Sequence, residues 1–424
     1  MIVATRFWRF FLMQVLFVVG ITSITCPMIW DNRYFPWFDQ LYTGSDSRHG
    51  FLDLNGFFIT SGDAFRFDSK ASKDEQIVSL PELWGLLDIT KVGASLAAAG
   101  LTNPIPDDWR WLSDFSALMP SSMQGQGVAF SCYAPIGKHF GLGANGFIMQ
   151  LNSFVNVLPT EDSIDKLNLS TPGNQALFTQ MMNNIYNELG IISTSWQQVG
   201  VGDVVVYAAL HDTHEYKYKF RKLDWGLHAG VIIPSGLPRD FTNLASVPLG
   251  SEFGLWGWFA ALFAEFELKE DWKVGIHARI TQRMDRCFTG RIPIGDEQPL
   301  FAPIIGNLAI NSGITGSIAP YCAFEDLRAG FGVLAKYTLT VHEQDSFYAR
   351  LSELNLVSKM KKLNYYSGFT QEFATIKLFY DIGHDKNWDK RPFAYFAWDI
   401  PMNHIAGRGF AKTNRISLGC TVNF

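Results

Sequence analysis

The run His211-Asp212-Thr213-His214-Glu215 is the most compact cluster of metal-ligating residue types in the 424-residue chain. Two histidines three apart can share a metal on one face of a helix. Here they fall at a short turn after a strand, where successive side chains diverge, so no metal centre is expected. A serine–histidine pair at Ser47 to His49 precedes the first strand and sits on the wrong side for an outer-leaflet hydrolase. No G-x-S-x-G, phosphate-loop or dinucleotide glycine pattern occurs. His228, His277 and His342 have no serine that the pattern places beside them. The five cysteines (26, 132, 287, 322 and 420) show no C-x-x-C or C-x-x-H spacing, which argues against zinc. The expectation is therefore no enzyme, no cofactor and no metal. What remains is a set of charged residues that alternate with apolar ones. The basic members are Lys222, Lys273, Arg279, Arg283, Lys336, Lys377 and Arg415. The acidic members are Asp203, Asp224, Glu265, Glu267, Asp381 and Asp399. His228 and His277 share their face. Seven bases against six acids make no ring of one sign, the arrangement that selects ions of the other sign. Such charges either set selectivity or brace a wet wall.

The elements that carry these residues have a period of two. Trp256, Trp258, Ala260, Leu262, Ala264, Phe266 and Leu268 share one face. Phe259, Phe263, Glu265 and Glu267 occupy the other. After a turn at Lys269-Glu270-Asp271, Trp272, Val274, Ile276, Ala278 and Ile280 alternate with Lys273, His277, Arg279, Thr281 and Arg283. A soluble sandwich and a membrane barrel share this local alternation. Length separates them: these strands run about 11 to 16 residues, against about 5 or 6 for ordinary globular strands and about 9 to 11 for membrane strands. Composition agrees: 47% hydrophobic and 18% charged residues exclude a disordered chain, and a net charge of −5 gives no nucleic-acid footprint.

The last residues alternate as well. Ile416, Leu418, Cys420, Val422 and Phe424 form an oily face, while Arg415, Ser417, Gly419, Thr421 and Asn423 form a polar one. This end resembles the closing strand of bacterial outer-membrane β-barrel proteins of the porin or channel kind. The resemblance implies an all-β, antiparallel, up-and-down barrel in the outer membrane. It also implies that those five residues are read by the barrel assembly machinery.

Short polar connections are expected at Pro135 to His139, Asp212 to Tyr216, Lys269 to Asp271, Glu325 to Arg328 and Gly383 to Lys390, with long connections between the hairpins. That asymmetry is the mark of periplasmic turns and extracellular loops. Twelve strands follow, near 50–60, 125–134, 140–150, 201–211, 218–233, 253–268, 272–284, 314–324, 329–342, 368–381, 391–401 and 414–424; ten or fourteen stay open. Trp256, Trp258 and Trp272 would mark the two membrane interfaces. Within the long connections, three helices are expected. Asp88 caps one bearing Ile89, Val92, Leu96 and Ala99. A second runs from Asn174 to Leu189, and a third from about Asp345 to Leu363 on a stripe of Phe347, Leu351, Leu354, Val357 and Met360. Segment 61–124 is long enough to be an inward plug.

The N-terminus reads as a cleaved secretory signal over 1–25. Arg6 and Arg9 precede the apolar core Phe10 to Ile21, and small residues follow. A single membrane anchor over Phe7 to Ile24 and a lipidated Cys26 are the alternatives. Residues 26–49 then form a periplasmic segment and 50–424 the barrel. Within the former, Trp30 to Phe38 could act as a hatch or as an interface anchor. The functional expectation is a passive channel for small solutes, with lipid as its surroundings. A structural barrel with a blocked lumen and surface loops is the alternative. A barrel enzyme and a transporter of hydrophobic substrates rank below these.

Overall fold

The computed structural model describes residues 32–36, 50–66, 77–105, 107, 116–216, 221–349, 360–384 and 392–424. The signal segment, Cys26 and the ends of the Trp30 to Phe38 stretch lie outside them. Twelve long strands follow one another around a closed wall: β1 (Phe51–Ser61), β2 (Ser121–Pro135), β3 (Phe140–Val155), β4 (Val204–Glu215), β5 (Lys222–Ile233), β6 (Gly257–Lys269), β7 (Trp272–Arg283), β8 (Ile314–Arg328), β9 (Phe331–His342), β10 (Phe369–Asp381), β11 (Pro392–Pro401) and β12 (Asn414–Asn423). Every neighbour is antiparallel. β1 closes the wall on β12 from Phe51↔Asn423 to Thr60↔Asn414, and β3 joins β4 from Leu210↔Phe140 to Val205↔Asn145. A short strand, Ser195–Val201, covers the far half of β3 and leads through Gly202 and Asp203 into β4. Closure leaves no edge, the condition for strands in hydrocarbon.

Alternation decides the two faces. Leu52, Leu54 and Phe58 of β1 are exposed, while Asp53, Asn55, Phe57 and Ile59 are buried. Leu227, Val231, Trp258, Leu262, Ile276, Ile280, Ile318, Ile376, Trp398, Ile416 and Leu418 continue the exposed apolar belt around the wall. Trp256 and Trp258 lie at one rim, and Trp272, stacked on Phe324 at 5.7 Å, at the other. An apolar outer band with aromatic girdles and a polar inner face is the pattern of a membrane barrel and the inverse of a soluble sandwich. The chain is a transmembrane β-barrel of the outer-membrane type.

Three expectations change. β4 runs on to Glu215, so its hairpin connection is 216–221 rather than Asp212 to Tyr216. β8 runs to Arg328, and the turn is Ala329-Gly330, both at positive φ (50° and 85°) as a two-residue hairpin turn requires. In both cases the polar residues taken for turn stay in the ladder, because the rim of a barrel is wet. The third helix is not formed as expected. Phe347 lies in a strand, Ser346–Ala349, and the helix there is Lys361–Ser367; Leu351, Leu354 and Val357 are outside the described residues. A strand partner, Ile304–Asn311, outweighs the helical stripe, pairing Ile310 with Phe347.

The other helices form as the caps dictate. α1 (Ile89–Ala98) is capped by Asp88, whose carboxylate accepts from the amides of Thr90 and Lys91. A short α2 (Glu161–Lys166) precedes α3 (Pro172–Leu189), which ends at left-handed Gly190; the Lys361–Ser367 helix is α4. The four described Cys residues that remain are free thiols. Cys132, Cys322 and Cys420 lie in barrel strands on the outer face, and Cys287, in the strand Arg286–Ile292 opposite Ala309, is unbridged.

Candidate functional site: the barrel lumen and its cover

The lumen divides along its axis. Near the long loops the inner wall formed by β1 to β4 is apolar: Ile59, Met123, Phe147, Met149, Leu151 and Val205 are all fully buried. On this wall sits a lid made from the β1–β2 insertion and its neighbours. A 3-10 turn (Leu80–Trp84) and α1 contribute Leu80, Leu83, Trp84, Ile89, Val92 and Leu96 to one continuous core with the wall. Polar anchors fix the lid. Glu297, wholly buried, accepts from Ser95 Oγ at 2.6 Å and from the amides of Ile294 and Gly295. Gln298 donates to the carbonyls of Pro81 and Gly85. Both Glu297 carboxylate oxygens are therefore satisfied, as a dry site demands, whereas Gln298 Oε1 is buried with no hydrogen-bond partner among the described residues.

Beneath the lid runs a strap, Asn32 to Pro36. The sequence reading placed 26–49 in a periplasmic segment, with Trp30 to Phe38 as a hatch or an interface anchor; Asn32 to Pro36 lie inside the barrel. Asn32 Nδ2 donates to the carbonyls of Pro248 (2.9 Å) and Gly250 (3.0 Å), and Gln371 of β10 donates to the Asn32 carbonyl at 2.8 Å. The Ala411 amide donates to the Arg33 carbonyl, and Thr413 Oγ1 to that of Tyr34. Arg33 lies between Trp84 and Phe369, 4.7 and 5.5 Å from the ring centroids, and donates to the carbonyls of Tyr366 (2.7 Å) and Ser367 (2.6 Å). Tyr34 Oη accepts from Arg239 and from Trp84 Nε1; Arg239 in turn pairs with Glu252 at 2.7 Å. A chain that cannot form a ladder inside a barrel must find side-chain partners for its backbone, and the wall supplies them.

The half of the lumen near the short turns is ionic. Lys273 pairs with Glu325 (2.7 Å) and Glu265 (3.4 Å), and Tyr321 Oη donates to Glu265. Glu267 stands opposite Lys273 in register, as the turn geometry suggests, but its ion pair is with Arg221 at 3.5 Å. Lys222 pairs with Asp224 at 2.9 Å. Asp53, absent from the set chosen on sequence, accepts from Tyr395 at 3.0 Å and from Thr421 and Asn55. Asp381 caps the turn through the Gly383 amide. Higher up, Arg415 pairs with Asp399 at 2.7 Å, and Arg283 with the wholly buried Asp203 at 2.8 Å. At mid-height lie His228, His277, Arg279, Lys336 and Lys377. Arg279 rests on the Phe259 ring (3.6 Å to the centroid), and Lys377 on that of Tyr395 (4.0 Å). Burial and register put all of these side chains on the inner face.

Several inward tyrosines lie flat against the wall because glycines receive them. A Cβ on Gly275 would come within 2.2 Å of the Tyr321 ring, and one on Gly419 within 2.4 Å of Tyr395. The rings therefore cover backbone instead of crossing the hollow.

The His211 to Glu215 run splits across the wall. His211 is buried against Tyr133 Oη at 2.9 Å, while His214 is exposed beside Asp212 at 3.6 Å. Among the described residues no three metal-ligating side chains converge. Sequence reasoning offered Trp30 to Phe38 as a hatch or an anchor without its partners, and it missed the buried pair Glu297-Gln298, because neither has a periodic signal. Asp53 and Glu325 could have been found by extending the inward alternation of β1 and β8.

No protein family and no curated protein matches the chain. Among solved structures, an outer membrane channel from Pseudomonas putida F1 has a TM-score of 0.46 and 11% identity, over 91% of this chain and 100% of that one. The TodX deltaS2S3 mutant monoaromatic hydrocarbon channel gives 0.38 and 10%, over 89% and 91%. The KdgM porin in complex with disordered oligogalacturonate gives 0.29 and 7%, over 73% and 99%. Scores this low assign neither fold nor cargo, and the barrel rests on its own register.

Proposed function

We propose that the protein is an outer-membrane channel for passive movement of small solutes, held shut at its loop end by the strap and the lid. The observation that carries this reading is the manner of closure. The strap is joined to the wall mostly by hydrogen bonds and cation–ring contacts, which can be exchanged for water, and only Tyr34 and Phe35 are packed into the apolar core. The turn-end half keeps its charges in pairs and its tyrosines against glycines, which suits a wet passage. A barrel built only as a scaffold gains more from apolar filling, since buried ion pairs stabilise little. The 1–25 segment would be a cleaved export signal. Ile416, Leu418, Cys420, Val422 and Phe424, on the lipid side of β12, would be the strip read by the assembly machinery.

A second reading, a barrel permanently blocked and working through its surface loops, draws support from the continuous core joining lid and wall. Solute efflux separates the two. Proteoliposomes loaded with a small neutral sugar should retain it with the full chain and lose it when 77–116 is replaced by a short Gly-Ser linker. Retention by that variant, and also by the full-length Trp84→Ala protein, with both still folded by circular dichroism, would establish the blocked barrel.

A further inference from the structure

One side of the wall carries no charge on its outward face. The outward positions of β12, β1, β2, β3 and the short strand Ser195–Val201 hold apolar residues, Gly, Ser, Thr, Asn and Gln, and no Lys, Arg, Asp or Glu. Register lines these residues up in rows. Leu418, Val128 and Ile148 belong to a greasy row. The next row toward the loops is mixed: Ile416, Phe58, Gln126, Gln150 and Val199, with Gln126 Nε2 donating to Gln150 Oε1 at 3.5 Å. The row after that is polar throughout: Asn414, Thr60, Gln124, Asn152 and Gln197. Thr60, Gln124, Asn152 and Gln197 are exposed. Phe58 on one side of this row and Phe154 on the other are exposed as well.

The polar row begins where the hydrocarbon ends. β1 presents Leu52, Leu54 and Phe58 to lipid, and the roughly 9–11 residues that a strand needs to cross the membrane run out at Thr60. Long loops face outward, so the row meets the headgroup layer of the outer leaflet. A face turned only to water ordinarily mixes charges of both signs. A face turned to phosphate headgroups carries Arg or Lys. This one has neither. Amide side chains donate and accept at once, as sugar hydroxyls do, and an exposed ring such as Phe58 or Phe154 covers the C–H face of a sugar. We infer that this face docks the neutral saccharide headgroup of an outer-leaflet glycolipid. The acyl chains of that lipid lie on the greasy row of Leu418, Val128 and Ile148, which makes the site continuous with the lipid belt. None of these side chains lies in the lumen, so the site stands whether the barrel opens or not.

Native mass spectrometry of the full chain in detergent tests this. Titration with digalactosyldiacylglycerol should give a saturable lipid adduct, and phosphatidylglycerol of matched acyl chains a weaker one. Gln124→Ala/Asn152→Ala/Gln197→Ala, three exposed positions whose backbone keeps its ladder, should weaken the glycolipid adduct at least about tenfold and leave the phosphatidylglycerol adduct as it was. Gln124→Ala alone, the milder change, should weaken it about threefold. Equal glycolipid affinity in the full chain and the folded variants would overturn the site, as would phosphatidylglycerol bound by the full chain as tightly as the glycolipid. A full chain that is dimeric by light scattering in detergent, and monomeric after the triple substitution, would assign the face to a second copy and overturn it too.

Discussion

At the scale of single residues, Arg33 ties the strap to the lid and the wall. It exchanges water for two carbonyls and two aromatic faces, Trp84 from the lid and the other three from the 366–369 stretch where α4 meets β10. Hydrogen bonds to a charged group and the cation–π contacts together contribute about 2–4 kcal/mol. Arg33→Ala should therefore raise the open-to-closed ratio by about 100-fold, read as open probability in a bilayer. An unaltered ratio would mean that the strap follows the lid rather than holding it. A second residue bears on pH. Asp271, at φ 62° in the β6–β7 turn, has its carboxyl pushed above the usual range by partial burial first, then by Asp326, Glu270 and Glu325. Its folded-state pKa exceeds the unfolded one, so its charge costs stability at neutral pH, and that cost is relieved as pH falls through the raised value. Asp271→Asn, with a side chain that tolerates left-handed backbone, should raise the urea midpoint at pH 7. The gain should shrink to nothing near pH 3; a gain that persists there would point to backbone preference instead. The inward charges were legible from alternation alone, but their partners were not. Glu267 was placed opposite Lys273 correctly, yet Lys273 reaches Glu265 and Glu325, because a long side chain chooses among diagonal neighbours that register does not rank.

At the scale of elements, the strands were the most legible part. A two-residue period fixes the face of every side chain, and a one-residue slip would expose the whole charged set to lipid. Leu262→Arg, at mid-height on the lipid face of β6, should destabilise the barrel by about 2–4 kcal/mol, measured by urea unfolding in lipid vesicles. A near-neutral effect would place that face in water. The glycine–tyrosine pairs give a different expectation. Gly275→Val drives Tyr321 off the wall and into the hollow, so the unit conductance of a strap-loosened channel should fall; an equal conductance would mean the ring has another place to go. The contacts of strap and loops resisted sequence reading for a physical reason. Their order comes from single long-range contacts, such as Gln371 to the Asn32 carbonyl, and not from repeating local preference. The 345–363 stripe misled because Phe347 and its neighbours satisfy a helical period equally well until a strand partner is present.

At the scale of the whole molecule, the twelve-stranded wall, the lid and the strap form one body. A lipid-facing belt closes around an ionic lower lumen and a dry upper one. On the channel reading proposed above, closure by a strap and a lid, rather than by the wall, lets the passage open without unfolding any strand. The most direct test is single-channel recording of the full chain beside the Asn32→Ala/Arg33→Ala/Tyr34→Ala variant in the same bilayer, with both proteins shown to be folded. The full chain should stay mostly silent, and the variant should give discrete, long-lived conductance steps. Silence from both, or equal steps from both, would contradict a strap-gated channel.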